Sequence, residues 1–110
     1  MLDYVEPERD VEGYLIDPED WDELVACALA DEEEVVLEED YWPVLKFMRD
    51  YWREYKVAPD VRHVVDYMAR EQDADKQSAK QHLFRMFPYG YVQQACKIAG
   101  MQKPRAWSTG

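Results

Sequence analysis

Apolar positions recur at steps of three and four along most of the chain, the spacing that gathers side chains on one face of an α-helix. The clearest stripe runs through Tyr41, Leu45, Met48, Trp52 and Tyr55, widened by Val44, Phe47 and Tyr51, and predicts a helix over about residues 38–56. Lys46, Arg49, Arg53 and Lys56 fall together on the opposite side at about 100° per residue. They form a basic stripe expected to be solvated, to pair with acids of the N-terminal region, or to face a partner. Glu38, Glu39 and Asp40 at the start of this helix and the bases near its end complement the helix dipole.

Weaker patterns flank it. The apolar stretches 2–5 and 11–16, separated by Pro7-Glu8-Arg9-Asp10, predict a small β-hairpin with its turn at residues 7–10. Asp17-Pro18 reads as an N-cap followed by proline at the first helical position. Trp21, Leu24, Val25, Ala28 and Leu29 then continue at helical spacing. Asp60, after Ala58-Pro59, starts a third helix whose apolar face is Val61, Val64, Val65 and Met68. The polar stretch 71–75 separates it from a fourth helix over about residues 76–87, burying Ala79, Leu83, Met86 and Phe87. After the break at Pro88-Tyr89-Gly90, a short fifth helix spans about residues 91–99, with Gly100 as its C-cap. Residues 101–110 carry no periodicity and contain Pro104, the composition of a flexible arm.

The expected fold class is therefore all-α in the main. It is a compact bundle of about five helices in one domain over residues 1–110, with a small N-terminal β-hairpin and a flexible C-terminal arm at residues 101–110. A length of 110 residues fits a single core. No apolar run approaches the roughly 18 residues of a membrane span. The acidic N-terminal stretch does not have the basic-then-apolar order of a signal peptide, so a cytoplasmic location is expected.

The net charge of −11 changes the picture because it is unevenly placed. Residues 1–40 hold 17 acids and one base, Arg9, whereas residues 76–110 hold six bases and no acid. The two halves are expected either to fold against one another or to expose a basic interaction surface. The net field repels phosphate, which disfavours direct nucleic-acid binding. The pair of helices around the 71–75 break, the second bearing Lys76, Lys80 and Arg85, is nevertheless a weak helix-turn-helix pattern.

Chemistry is sparse. Two cysteines, Cys27 and Cys96, do not suggest a disulfide framework. No CxxC, Cys/His cluster or HExxH is present, and neither a metal nor a cofactor is expected. Cys27 lies beside the apolar stripe of the first helix and is expected to be a packing residue. His63 and His82 are expected at the surface or in capping roles, and Tyr14, Trp21, Trp42, Trp52 and Phe84 in the core. For Cys96 two readings stand. Lys97, with Lys103 and Arg105 on the arm, would lower its pKa and make it a reactive thiolate. Alternatively, Val92, Ala95, Cys96 and Ala99 share one helical face, which would bury the thiol and raise its pKa. Trp107, in a polar tail, is expected to dock on the body or to anchor a partner.

Several segments resemble the DsrC/TusE family of small sulfur-relay proteins. They are Glu12-Gly13-Tyr14-Leu15 followed by Trp21, then Tyr41-Trp42, then the run from Phe47 to Tyr55, and Ala58-Pro59 with Arg62. Most specific are the run from Leu83 to Gly90, Gln94-Ala95-Cys96-Lys97-Ile98-Ala99-Gly100, and Lys103-Pro104. The resemblance implies a helical fold with a swinging C-terminal arm whose cysteines carry sulfur. In the DsrC type the protein serves dissimilatory sulfite reductase, and in the TusE type a relay that thiolates a tRNA wobble uridine. Cys96 matches the arm-base cysteine of the DsrC type. The main carrier in the family is a cysteine eleven residues further on, where this chain has Trp107. The redox disulfide between two arm cysteines is thus not available. Tyr91-Val92-Gln93 also replaces the family's usual Pro-Ala-Lys.

The resemblance implies a persulfide carrier rather than a complete enzyme, with Cys96 as the site and Arg85, Lys97, Lys103, Arg105 and Trp107 contacting partners. Those partners would be the sulfur donor and acceptor, a sulfite reductase or a Tus-type complex. The alternative is a regulatory or scaffold relative that binds the same partners without carrying sulfur.

Overall fold

Asp22, Asp60 and Asp75 each turn a carboxylate onto a backbone N–H at the start of a helix, and these three caps set the frame of the molecule. The structure, a computed structural model, describes residues 6–103. Four α-helices follow in order: α1 (Glu23–Glu32), α2 (Tyr41–Tyr55), α3 (Val61–Gln72) and α4 (Lys76–Met86). A 3-10 turn at Pro18–Asp20 precedes them, and a π-helical segment at Tyr91–Cys96 follows. The mainly helical class expected from the sequence is thus observed. Helices α3 and α4, joined by three residues, pack on each other most extensively, and α2 lies against α3.

The hairpin is not present as expected. Its first arm, residues 2–5, lies outside the described residues. Beyond it there is one antiparallel bridge between Arg9 and Leu15. The turn sits at residues 10–13 rather than 7–10, because the Asp10 carboxylate accepts from the backbone of Glu12 and Tyr14, and Gly13 takes a φ of +92°. Asp10 is the better turn former, since its side chain supplies the acceptor that the loop backbone needs.

The first helix is split. Asp17 and Pro18 start only the 3-10 turn; Trp21 is extended, and the chain restarts at Asp22, whose carboxylate accepts from Val25 at 2.9 Å. The buried face becomes Val25, Ala26, Leu29 and Ala30 rather than Leu24 and Ala28. Cys27 therefore points away from the core and is exposed, contrary to the packing role expected for it.

In α2 the expected stripe is buried at Tyr41, Val44, Leu45 and Met48, but Tyr55 is exposed. The basic stripe is interrupted. Lys46 and Arg53 pair with Asp50 at the surface, whereas Arg49 is buried, with only 4% of its surface exposed. Tyr14 is in the core as expected; Trp21, Trp42 and Trp52 are partly buried against it, and Phe84 is also intermediate.

The last segment runs through the middle of the protein. Tyr91, Gln94, Ala95, Cys96, Ile98 and Ala99 are all fully buried, and Met101, expected to begin the flexible arm, is buried as well. Residues expected to form an α-helix from 91 begin as a π-helix instead, after Gly90 at φ +108°. Gly100 ends the helix at φ +78°, with the Met101 N–H returning to the Cys96 carbonyl, as a C-capping glycine does.

Candidate functional site

Cys96 closes the π-helical segment, a local geometry often found at functional positions. None of its surface is exposed. Burial pushes its thiol up to about 12; contact with the Tyr91 hydroxyl opposes this to a smaller extent. That hydroxyl already donates to the Pro59 carbonyl in front of α3. The loop before α3 and the cysteine segment are thereby fastened together. In this arrangement Cys96 is a neutral, covered thiol.

The cations expected to activate it are directed elsewhere. Lys97 Nζ lies 3.5 Å from Glu33 Oε2 and 5.1 Å from the centre of the Tyr14 ring. Glu33 also accepts from the side chain of Gln94, and Tyr14 Oη donates to the Val92 carbonyl at 3.1 Å. Tyr14 is itself pushed up to about 12, chiefly by burial. Lys97 thus joins the end of α1 to the segment instead of lowering the thiol. Lys103 reaches back to Glu12 at 2.9 Å, and Gln102 donates to the Ile16 carbonyl at 2.7 Å. The start of the arm is therefore laid along the N-terminal turn. Arg85 is exposed on α4, away from these contacts. Arg105 and Trp107 lie outside the described residues.

Sequence reasoning missed the groups that hold the end of the cysteine helix. The last carbonyls of a helix have no partner within it. Here Trp21 Nε1 donates to the Ile98 carbonyl at 2.8 Å. Arg49 donates to the Ala99 carbonyl at 3.2 Å and to the Pro18 carbonyl at 2.8 Å. Its guanidinium lies 4.7 Å from the centre of the Trp21 ring and 5.4 Å from that of Trp52. Burial lowers the Arg49 pKa, and its Nε has no hydrogen-bond partner among the described residues. A cation at a helix C-terminus is also favoured by the dipole. The available signal was local: Arg49 follows Met48 directly and stands three residues before Trp52, on the flank of the apolar stripe.

Both histidines contact aspartates at helix starts. His82 contacts Asp40 Oδ2 and Gln72 Nε2, both at 2.9 Å, and so joins the start of α2 and the end of α3 to the middle of α4. His63 lies 3.2 Å from the cap carboxylate of Asp60. Among the described residues no three His, Cys, Asp or Glu side chains converge on a point that could hold a metal ion. No helix among them is long and apolar enough to cross a membrane.

These features define a class: a small helical protein whose final helical turn holds a covered cysteine at the root of a C-terminal tail. The family model described as DsrC like protein matches residues 2–106. Sulfurtransferase TusE of Photorhabdus laumondii subsp. laumondii is 39% identical over 99 residues, covering 90% of this chain and 88% of the relative. The oxidized gamma-subunit of dissimilatory sulfite reductase (DsrC) from Archaeoglobus fulgidus superposes with a TM-score of 0.80 at 36% identity, covering 91% of this chain and 90% of that one. A chain of the dissimilatory sulfite reductase I structure gives a TM-score of 0.74 at 26% identity, covering 90% and 88%. The chain belongs to the DsrC-like family.

Proposed function

We propose that the protein works in sulfur relay, passing sulfur between partner proteins, with Cys96 as its arm cysteine. The observation that carries the reading is the position of this thiol, five residues before Met101, at the root of the tail in a chain of the DsrC-like family. Transfer requires a thiolate. The covered state supplies none, so the carrier reading has a second, open state in which the end of the cysteine helix releases and Cys96 loses its proton to solvent. The Cys96 thiolate then attacks the outer sulfur of a donor persulfide. The donor's S–S bond breaks, the donor leaves as a thiolate, and a new bond joins that sulfur to Cys96 Sγ, with no net oxidation. The donor and acceptor supply the remaining machinery, so the chain is a carrier rather than a complete enzyme.

Partners of this reading are a sulfur donor and an acceptor, either a sulfite reductase or a Tus-type complex serving tRNA thiolation. The likeness to a chain of dissimilatory sulfite reductase I supports the first, and the identity to Sulfurtransferase TusE the second. The reading includes the cytoplasmic location expected from the sequence. Arg85, Arg105 and Trp107 are its partner contacts; Lys97 and Lys103 join them only by leaving Glu33 and Glu12.

A second reading is favoured by a specific observation. A fully buried thiol raised to about 12, with tryptophan at the family's terminal cysteine position, suits a relative that binds the same partners without carrying sulfur. Incubation with a persulfide donor, intact mass and peptide mapping separate the two. Added sulfur on the Cys96 peptide, lost in Cys96→Ser and retained in Cys27→Ser, supports the carrier. Sulfur gain unchanged by Cys96→Ser, or absent altogether, leaves the binding relative.

A further inference from the structure

We infer that the cleft between α3 and α4 is a docking site for an acidic, amphipathic segment of a partner protein. The cleft encloses about 1040 Å³ and has an apolar floor of Val61, Val65 and Phe84. Arg62, Lys76, Lys80 and Arg85 stand around it, and Asp66 is the single carboxylate among its lining residues. Asp66 is engaged by Lys76 at 3.3 Å, and Arg62 faces the cap carboxylate of Asp60 at 3.5 Å. Lys80 lies 6.0 Å from the centre of the Phe84 ring. Neither Lys80 nor Arg85 forms an ion pair among the described residues.

A chain of net charge −11 has thus gathered cations around one apolar furrow. Both halves of that arrangement select the occupant. Apolar side chains at helical spacing fill a furrow between two helices, and carboxylates on the flanks meet the rim. A polynucleotide fits less well. Of the two aromatic rings in the lining, Phe84 lies under Lys80 and His63 packs against Tyr51 beside the Asp60 carboxylate, and the overall field opposes a long polyanion. The inference stands whether or not Cys96 carries sulfur, because the cleft contains no part of the cysteine segment.

The test uses the full chain, isotope-labelled for amide NMR. It is titrated with a synthetic helix bearing leucines at i, i+3, i+4 and i+7 and glutamates elsewhere, with the same helix carrying glutamine for each glutamate, and with a uridine oligonucleotide. The expected result is that shifts from the acidic helix map to α3 and α4. Its affinity falls at least tenfold for the glutamine helix and for Lys80→Glu/Arg85→Glu, whose exposed side chains are not needed for folding. Shifts elsewhere, no shifts, equal affinity for the two helices, or tighter binding of the oligonucleotide in the cleft would each overturn the inference.

Discussion

The guanidinium of Arg49 donates to the carbonyl of Ala99 at 3.2 Å, so a side chain from the middle of α2 completes the helix that holds Cys96. The same group reaches the Pro18 carbonyl and lies between the rings of Trp21 and Trp52. It replaces the missing hydrogen bonds of a buried helix end and ties three distant parts of the chain to the root of the tail.

Arg49→Ala takes the donor from the buried Ala99 carbonyl, at about 1–3 kcal/mol, and leaves the Pro18 carbonyl with the Trp21 N–H alone. Removing a buried cation that forms no ion pair among the described residues offsets part of this. The expected net loss in urea unfolding lies in the lower part of that range, with Arg49→Lys intermediate because one ammonium does not span both carbonyls as the fork does. Faster amide exchange at residues 97–101 is expected alongside. Wild-type stability in Arg49→Ala would show that the helix end is held by other means.

Gly100→Ala has two penalties at one position. Its φ of +78° disfavours a side chain, and a Cβ there would lie 2.3 Å from Trp21 Cδ1. Trp21 has to move, giving up its bond to Ile98. A loss of about 2 kcal/mol or more is expected in thermal or urea unfolding. The paired variant Trp21→Ala/Gly100→Ala isolates the steric part: it should be less destabilised than the sum of the single changes, and strict additivity would rule out the clash.

The two thiols should separate cleanly in chemical labelling. Cys27 is exposed and Cys96 fully buried. Brief treatment of the folded protein with iodoacetamide is expected to modify the Cys27 peptide and spare Cys96 until denaturant is added. Equal labelling of both under native conditions would mean that the open state is already well populated.

Alkali should expose the cost of the buried thiol. The Cys96 pKa is raised from 9.0 to about 12 by burial. Below pH 9 both folded and unfolded chains keep this proton, and its contribution to stability is fully present. Between these values the unfolded chain releases the proton and the folded chain does not, so stability falls as pH rises, by about 1 kcal/mol per pH unit. Tyr14, raised from 10.0 to about 12, works in the same direction. Urea midpoints measured from pH 8 to 10 should therefore fall less steeply for Cys96→Ala than for the wild type. Parallel slopes would contradict a neutral thiol in the folded state.

Helices α2, α3 and α4 were legible because their burial repeats with the helical period and aspartates stand at the starts of α3 and α4. Local pattern failed where a distant partner decided the outcome. Trp21 has helical spacing with Leu24 and Val25, yet it leaves the helix to seal Gly100, nearly eighty residues away. Arg49 reads as surface charge until the carbonyls of Pro18 and Ala99 are brought beside it. At Cys96 the packing alternative predicted the burial, and in the covered arrangement Lys97 turns to Glu33 rather than to the thiol. Met101 follows the capping glycine and has no periodicity of its own, so nothing in the chain announced that it is buried.

The π-helical stretch at Tyr91–Cys96 gears the thiol to Gly100 and Met101. A π turn holds one residue more than an α turn, so rewinding it by a single hydrogen-bond register would rotate everything downstream by about 100°. Cys96, the Ile98 and Ala99 carbonyls and Met101 would turn as one piece, like a shaft driven from one end. A displacement of Met101 is therefore felt at the sulfur, five residues back along the chain.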